Sequence, residues 1–125
     1  MSDLGREQAI LKELIGFCAR LLDVKKPIKL TIGPDHPFAM AAVRKLRNGG
    51  EVEDVSEDYD EIEIFIYENK KLRAQFDETQ NTILLLSEIV HELVHIRHED
   101  WDEQAVADEE ARITRLILKY MEHHP

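Results

Sequence analysis

This 125-residue sequence has a single cysteine, fewer basic than acidic side chains and no long apolar run. A single cysteine excludes an internal disulfide framework and any structural zinc site built on two or more cysteines. That residue, Cys18, lies between Phe17 and Ala19 with no local basic cluster to activate it, so a small buried hydrophobe is expected. Lys plus Arg number 16 against 26 Asp plus Glu, a formal net charge of -10, and a field of that sign repels phosphate backbones and anionic lipid heads. Nucleic acid is therefore not an expected partner. No apolar run approaches the roughly 18 residues of a membrane span, so membrane insertion is not expected either. The opening segment MSDLGREQAI has neither the basic nor the apolar region of a secretory signal, which makes the cytoplasm the expected compartment.

What is there suits one α+β domain over residues 1–125, since 43% apolar content in a chain of this length fills a single core. No repeat, low-complexity linker or domain boundary interrupts it. Ile10, Leu11, Leu14, Phe17, Cys18, Leu21 and Leu22 recur at steps of three and four, the stripe of an amphipathic helix that Ser2 or Asp3 is placed to cap. Ile28, Leu30 and Ile32 alternate with polar residues as a strand that stops at Gly33-Pro34. The segment from Glu61 to Tyr67 alternates more clearly, with Ile62, Ile64 and Ile66 on one face. Between them, Phe38 to Arg47 (FAMAAVRKLR) has the propensity of a helix with a Gly49-Gly50 stop. The acidic run EVEDVSEDYDE that follows reads as a solvated loop.

From Asn81 to Ile96, apolar residues wrap almost the whole circumference of a helix, which marks it as central and buried. A second helix follows after a short stop at His98 to Trp101, with Asp100 and Glu103 at capping-box spacing, so the two should form an antiparallel hairpin. A narrow polar strip interrupts the first helix. It contains His91-Glu92-Leu93-Val94-His95, an H-E-x-x-H pattern. One turn separates the two imidazoles, so both point the same way and can hold one zinc ion, while Glu92, about 100° round, reaches the water bound to the metal. Zinc lowers the pKa of that water, and a neighbouring carboxylate can take its proton and pass it to the leaving amine. Six histidines and sixteen glutamates in random order would produce the pattern about 3% of the time. Placing two imidazoles and a carboxylate on an otherwise apolar helix is costly without a partner such as a metal, which favours the functional reading.

A catalytic zinc needs a third protein ligand. The metzincin pattern is excluded, because His98 and Trp101 stand where it needs Gly and His. Asp102, Glu103, Asp108, Glu109 and Glu110 on the next helix compete. Val106, Ile113, Leu116, Ile117 and Tyr120 define that helix's inward face, and Glu109 lies within it. Asp108 falls on the outer side, four residues before Arg112, where an ion pair is expected. Glu110 lies at the edge and is the second choice. Counted from a turn near Asp100, His91 and Glu109 are both nine residues away, whereas Asp102 and Glu103 lie nearer the turn than an easy reach to both histidines allows. Glu109 is thus the expected third ligand.

With HELVH on one helix and Glu109 on the next, the chain resembles the minimal soluble gluzincin metallopeptidases, or minigluzincins, themselves similar to the catalytic cores of integral-membrane zinc peptidases. The resemblance covers His91, Glu92, His95 and the Glu109 region, with a looser likeness in element order. It implies a zincin-like fold: a leading helix, a small two- to three-stranded sheet, an active-site helix and a glutamate helix, with substrate along an edge strand above the zinc. On that view Phe38 to Lys45 is the middle strand, against its propensity. The chain departs from the broader gluzincin pattern at Asp108, where Asn is usual, and at Ile113, where an Asp would orient a histidine. A second branch, the repressor-cleaving and stress-response HExxH peptidases, has a helix similar to DEEARITRLI, and in that register Asp108 takes the ligand position.

The expected activity is zinc-dependent hydrolysis of a peptide or protein substrate, with His91, His95 and Glu109 on the metal and Glu92 as general base and acid. The alternative is a zinc-stabilised regulatory or scaffold module with latent or no proteolysis. His98, at the helix C-terminus, suits the macrodipole there, while a role at the oxyanion is open to it and to Tyr120. His123 and His124 belong to a terminal tail that is also placed to cover an open metal position. The Glu61 to Tyr67 strand, if at an edge, would accept an extended peptide by β-augmentation. Substrate identity and oligomeric state are not legible in the sequence.

Overall fold

The apolar stripe near the N-terminus folds as helix α1, Asp3–Leu21. Leu11, Leu14, Ile15, Cys18 and Ala19 are buried along it, whereas Ile10, also counted on the stripe, is exposed. The helix ends because Asp23 adopts a left-handed conformation (φ 57°), letting the amides of Asp23 and Val24 close back on the carbonyls of Arg20 and Ala19. The computed structural model describes residues 3–34, 36, 39–52 and 58–123. Ser2 as a cap, Phe38 and the His124 tail position lie outside the described residues.

Four strands follow: β1, Ile28–Gly33; β2, Ala41–Arg47; β3, Gly50–Val52; and β4, Glu61–Tyr67. They form one mixed sheet in the order β1-β4-β2-β3, with β1 parallel to β4 and the other pairs antiparallel. The sheet is thus larger than the two or three strands expected. Ile62, Ile64 and Ile66 of β4 are all at most 1% exposed and, with the buried Ala41 of β2, carry the sheet's face of the core. Because β4 is paired on both sides, it offers no free edge to a peptide, which corrects the expectation that it might; β1 and β3 are the edges.

β2 is a strand, as the resemblance implies for Phe38 to Lys45, and not the helix that its propensity suggests. Ala41, Val43 and Lys45 lie opposite Ile66, Ile64 and Ile62, so this segment completes the pairing of the central strand, whose second edge a helix would have left unsatisfied. Local chemistry agrees with the sheet. Asn48 and Gly49 both have positive φ (52° and 82°), and Arg47 pairs with Gly50 across them, the geometry of a two-residue hairpin turn that Asn-Gly favours. Glu51 and Val52, the start of the acidic run, therefore belong to β3 rather than to a loop.

A short helix, α2 (Lys70–Arg73), leads to α3 (Glu78–Arg97) and α4 (Glu103–His123). α3 begins with a reciprocal capping box: Gln80 N donates to Asp77 Oδ1 and Asp77 N to Gln80 Oε1. It packs against β2 on one side and against α1 and α4 on the other. Leu85, Leu86, Ile89, Val90, Leu93 and Val94 are buried there, but Leu84 is 42% exposed, so the helix is less completely enclosed than its sequence suggests. α4 is capped by Asp102, whose Oδ1 accepts from Ala105 N at 2.8 Å. The expected Asp100–Glu103 box does not cap it; the cap lies two residues later, and the Glu103 side chain is released for other contacts. Val106, Ile113 and Ile117 complete the core from α4. Among the described residues no helix is long and apolar enough to cross a membrane.

Cys18 is fully buried, and burial pushes its thiol up from 9.0 to about 12. A raised acid pKa stabilises the fold below the unfolded value, and that contribution fades as pH rises above about 9 and the unfolded thiol ionises. The native protein should therefore fail to react with a thiol reagent at pH 8 and take up one equivalent in denaturant; rapid native labelling would show that this part of the core opens.

Candidate metal centre

His91 and His95 lie one turn apart on α3, half-buried, with ring centroids 4.9 Å apart and planes at 68°. The helix rises about 6 Å over four residues, and the shared side-chain direction of i and i+4 brings the rings together. Facing them is Glu103, at the first position of α4. Its Oε1 is 2.8 Å from His95 Nε2 and its Oε2 is 3.3 Å from His91 Nε2. Taken one per residue, the donor atoms of His91, His95 and Glu103 lie within 4.8 Å of one another. Tetrahedral zinc held at ~2.0–2.1 Å sets its ligands about 3.4 Å apart, so this N, N, O set fits a divalent ion with small side-chain adjustments.

The other α4 carboxylates are placed differently. Glu109 is held by Arg112, with Nε at 2.5 Å and Nη2 at 3.1 Å from its two oxygens, and does not join the histidines. Helical phase accounts for this: at 100° per residue, Glu103 and Glu110 lie about 60° and 40° to one side of the Val106–Ile113–Ile117 line, and Glu109 about 60° to the other. The flank with Glu103 and Glu110 turns to α3. Tyr120, on the opposite flank, donates to Glu13 Oε1 of α1 at 2.9 Å and stacks on Phe17. That contact takes it away from an oxyanion role. Glu103, although close to the turn, does reach both imidazoles, because its long side chain stands in the first turn of α4 and Asp102 takes the capping duty. Asp108 accepts from Gln104 Nε2 rather than pairing with Arg112.

Glu110 Oε1 lies 2.9 Å from His91 Nδ1, and its Oε2 accepts from Ser87 Oγ at 3.1 Å. His98 caps the C-terminus of α3 and stacks on Trp101 with centroids 3.7 Å apart. One turn before the histidines, Glu88 Oε2 accepts from Met40 N and ties the start of β2 to α3.

That tether helps frame a cleft of about 420 Å³ between the β2–β3 hairpin and α3. Val43, Lys45 and Val52 line one wall, Glu92, His95 and Glu99 the other. Glu92 forms no ion pair or hydrogen bond among the described residues, so its carboxylate is available to a molecule in the cleft. The mostly buried Lys45 ammonium is 2.5 Å from Glu99 Oε1 and closes one end.

Compared with known proteins, the chain matches no family model, no curated sequence and no solved structure. The site therefore stands on its own geometry. Spacing alone points to His91, Glu92 and His95, and helical phase brings Glu103 and Glu110 into consideration, but nothing in the sequence points to Ser87. Glu103 and Glu109 both lie about 60° from the line of the buried Val106, Ile113 and Ile117, on opposite flanks, and Glu110 about 40°, so the repeat by itself does not choose Glu103 over Glu109.

Hydrogen bonding from Arg112 holds the Glu109 carboxyl below its ordinary 4.5. A depressed carboxyl pKa stabilises the fold above the unfolded value, and that contribution is lost as pH falls through the folded one. Arg112→Met should thus cost about 0.2–1 kcal/mol at neutral pH and progressively less as pH falls below the ordinary 4.5. Denaturant titration at both pH values checks this.

Proposed function

We propose that the chain is a zinc-dependent peptidase with a zincin-like arrangement of its two long C-terminal helices. The observation that carries this reading is the convergence of His91, His95 and Glu103 beside a cleft into which Glu92 also faces. His91 Nε2, His95 Nε2 and the Glu103 carboxylate would hold the ion; Glu103 replaces Glu109, whose oxygens are occupied by Arg112. Bound there, zinc supplies Lewis acidity, making water more acidic and a carbonyl more electrophilic.

The protein's own contribution follows from the cleft. Glu92 accepts a proton from the attacking water and returns it to the amine that leaves, so one carboxylate serves both halves of hydrolysis. β3 is the sheet edge beside the cleft, and its backbone would align an extended peptide past Glu92. The Val43 and Val52 side chains give the wall apolar surface for a substrate side chain. Resemblance to the minigluzincins in the HELVH segment supports the same reaction class. A lone buried cysteine suits a reducing compartment such as the cytoplasm.

One observation favours a second reading. The three donors join α3 to the first turn of α4, so a bound ion would clamp two helices and stabilise the fold even without turnover. A zinc-stabilised regulatory or scaffold module would use that clamp alone.

Metal titration should give one zinc equivalent, lost in the His91→Ala/His95→Ala double variant. Glu103→Gln should weaken binding by more than the roughly 10–100-fold seen when a residue merely supports a ligand, while Glu109→Gln leaves it unchanged. The reverse order would return the third-ligand role to Glu109. In a peptide-library assay, chelator-sensitive cleavage supports the peptidase, and zinc binding without cleavage supports the module. Glu92→Gln should retain zinc and lose about 10²–10⁴-fold in turnover; unchanged turnover would remove Glu92 from the reaction.

A further inference from the structure

The two histidines of the centre are not equivalent. Both direct Nε2 toward Glu103, but only His91 has a carboxylate at its other ring nitrogen among the described residues: Glu110 Oε1, 2.9 Å from Nδ1. Glu110 stands on the flank of α4 that faces α3, two turns beyond Glu103, with its side chain 25% exposed. Its second oxygen accepts from Ser87 Oγ at 3.1 Å. Ser87 lies four residues, about one turn, before His91 on α3, so a single carboxylate from α4 bridges two α3 side chains one turn apart. The directions of these bonds are fixed by chemistry. A carboxylate only accepts, so the serine hydroxyl must donate, and the imidazole must present Nδ1–H.

An imidazole that binds a metal through Nε2 as a neutral ligand must carry its proton on Nδ1, and an acceptor at that nitrogen stabilises this tautomer and makes the ring a better donor. We propose that Ser87 and Glu110 form a positioning pair that fixes His91 with Nε2 turned to the ion, Ser87 acting through Glu110. Glu110 locks the tautomer and the ring angle. Ser87 sets which way the Glu110 carboxylate faces, so that one oxygen meets Nδ1 instead of rotating toward solvent. His95 has no counterpart among the described residues. The inference rests on the metal-binding reading above and adds to it the source of His91's orientation.

Affinity and coordination geometry test it on the full chain, by zinc competition against a chromophoric chelator and by the visible absorption of the cobalt-substituted protein. Glu110→Gln should weaken zinc binding by about 10–100-fold while keeping a four-coordinate cobalt spectrum with shifted bands. Ser87→Ala should cost up to about tenfold, and Ser87→Thr, which keeps the hydroxyl, should recover the loss. Because Ser87 works through Glu110, the double variant should bind no more weakly than Glu110→Gln alone. Equal unfolding midpoints for the metal-free Ser87→Ala and Ser87→Thr variants would assign the difference to the site and not to folding. The proposal is overturned if Ser87→Ala has unaltered affinity and spectrum, if the two losses add, or if Glu110→Gln abolishes binding while Glu103→Gln retains it. The last result would make Glu110 the ligand. Failure of the unaltered chain to bind either metal would overturn the metal-binding reading and this one together, whereas metal binding with an indifferent Ser87→Ala would overturn this one alone.

Discussion

α3 has to be apolar toward the sheet and toward two other helices at once, and every other feature of the molecule is arranged around that demand. Its buried leucines, isoleucines and valines meet β2 on one side and α1 and α4 on the other. Burying each such side chain contributes about 1.5–3 kcal/mol, so the helix is anchored by several independent contacts and has little freedom to rotate. That rigidity matters for the polar strip. His91, Glu92 and His95 take their directions from a helix whose phase is set by the core, and a ligand set requires directions held to within a few tenths of an ångström.

The sheet is fitted to the same helix. β4 supplies the central apolar face, and β2 pairs with it while presenting Val43 and Lys45 toward α3. The Met40 amide on Glu88 ties the start of β2 to α3, and the Lys45 ammonium on Glu99 ties β2 to the turn that follows α3, one on either side of the histidines in sequence. Both bonds engage a charged group, which makes them stronger than neutral ones, and together they hold the cleft open beside Glu92. Stability and the candidate site therefore share residues.

α4 divides its labour by flank. One side of its apolar line carries Glu103 and Glu110 to α3, and the other carries Glu109 to Arg112 and Tyr120 to Glu13 of α1. Three acidic residues within one stretch of helix thus have three different tasks. A rotation of α4 by about 100°, one residue's worth, would exchange them. The packing of Val106, Ile113 and Ile117 prevents it.

The sequence by itself determined whatever depends on short-range periodicity. The α1 stripe, the Ile62–Ile64–Ile66 alternation and the H-E-x-x-H spacing each involve residues whose relative directions follow from 3.6- or 2-residue repeats, and all three appear in the structure as those repeats require. β2 was half legible. Its residue propensities favour a helix, yet the Asn48-Gly49 turn signal points to a hairpin, and pairing with β4 settles the conflict because a central strand must satisfy both edges. Only the tertiary structure decided which acidic residue of α4 meets the histidines. Glu103, Glu109 and Glu110 are chemically alike and all near the inward face, so their assignment turns on the rotation of one helix against another, a long-range quantity that no local repeat encodes.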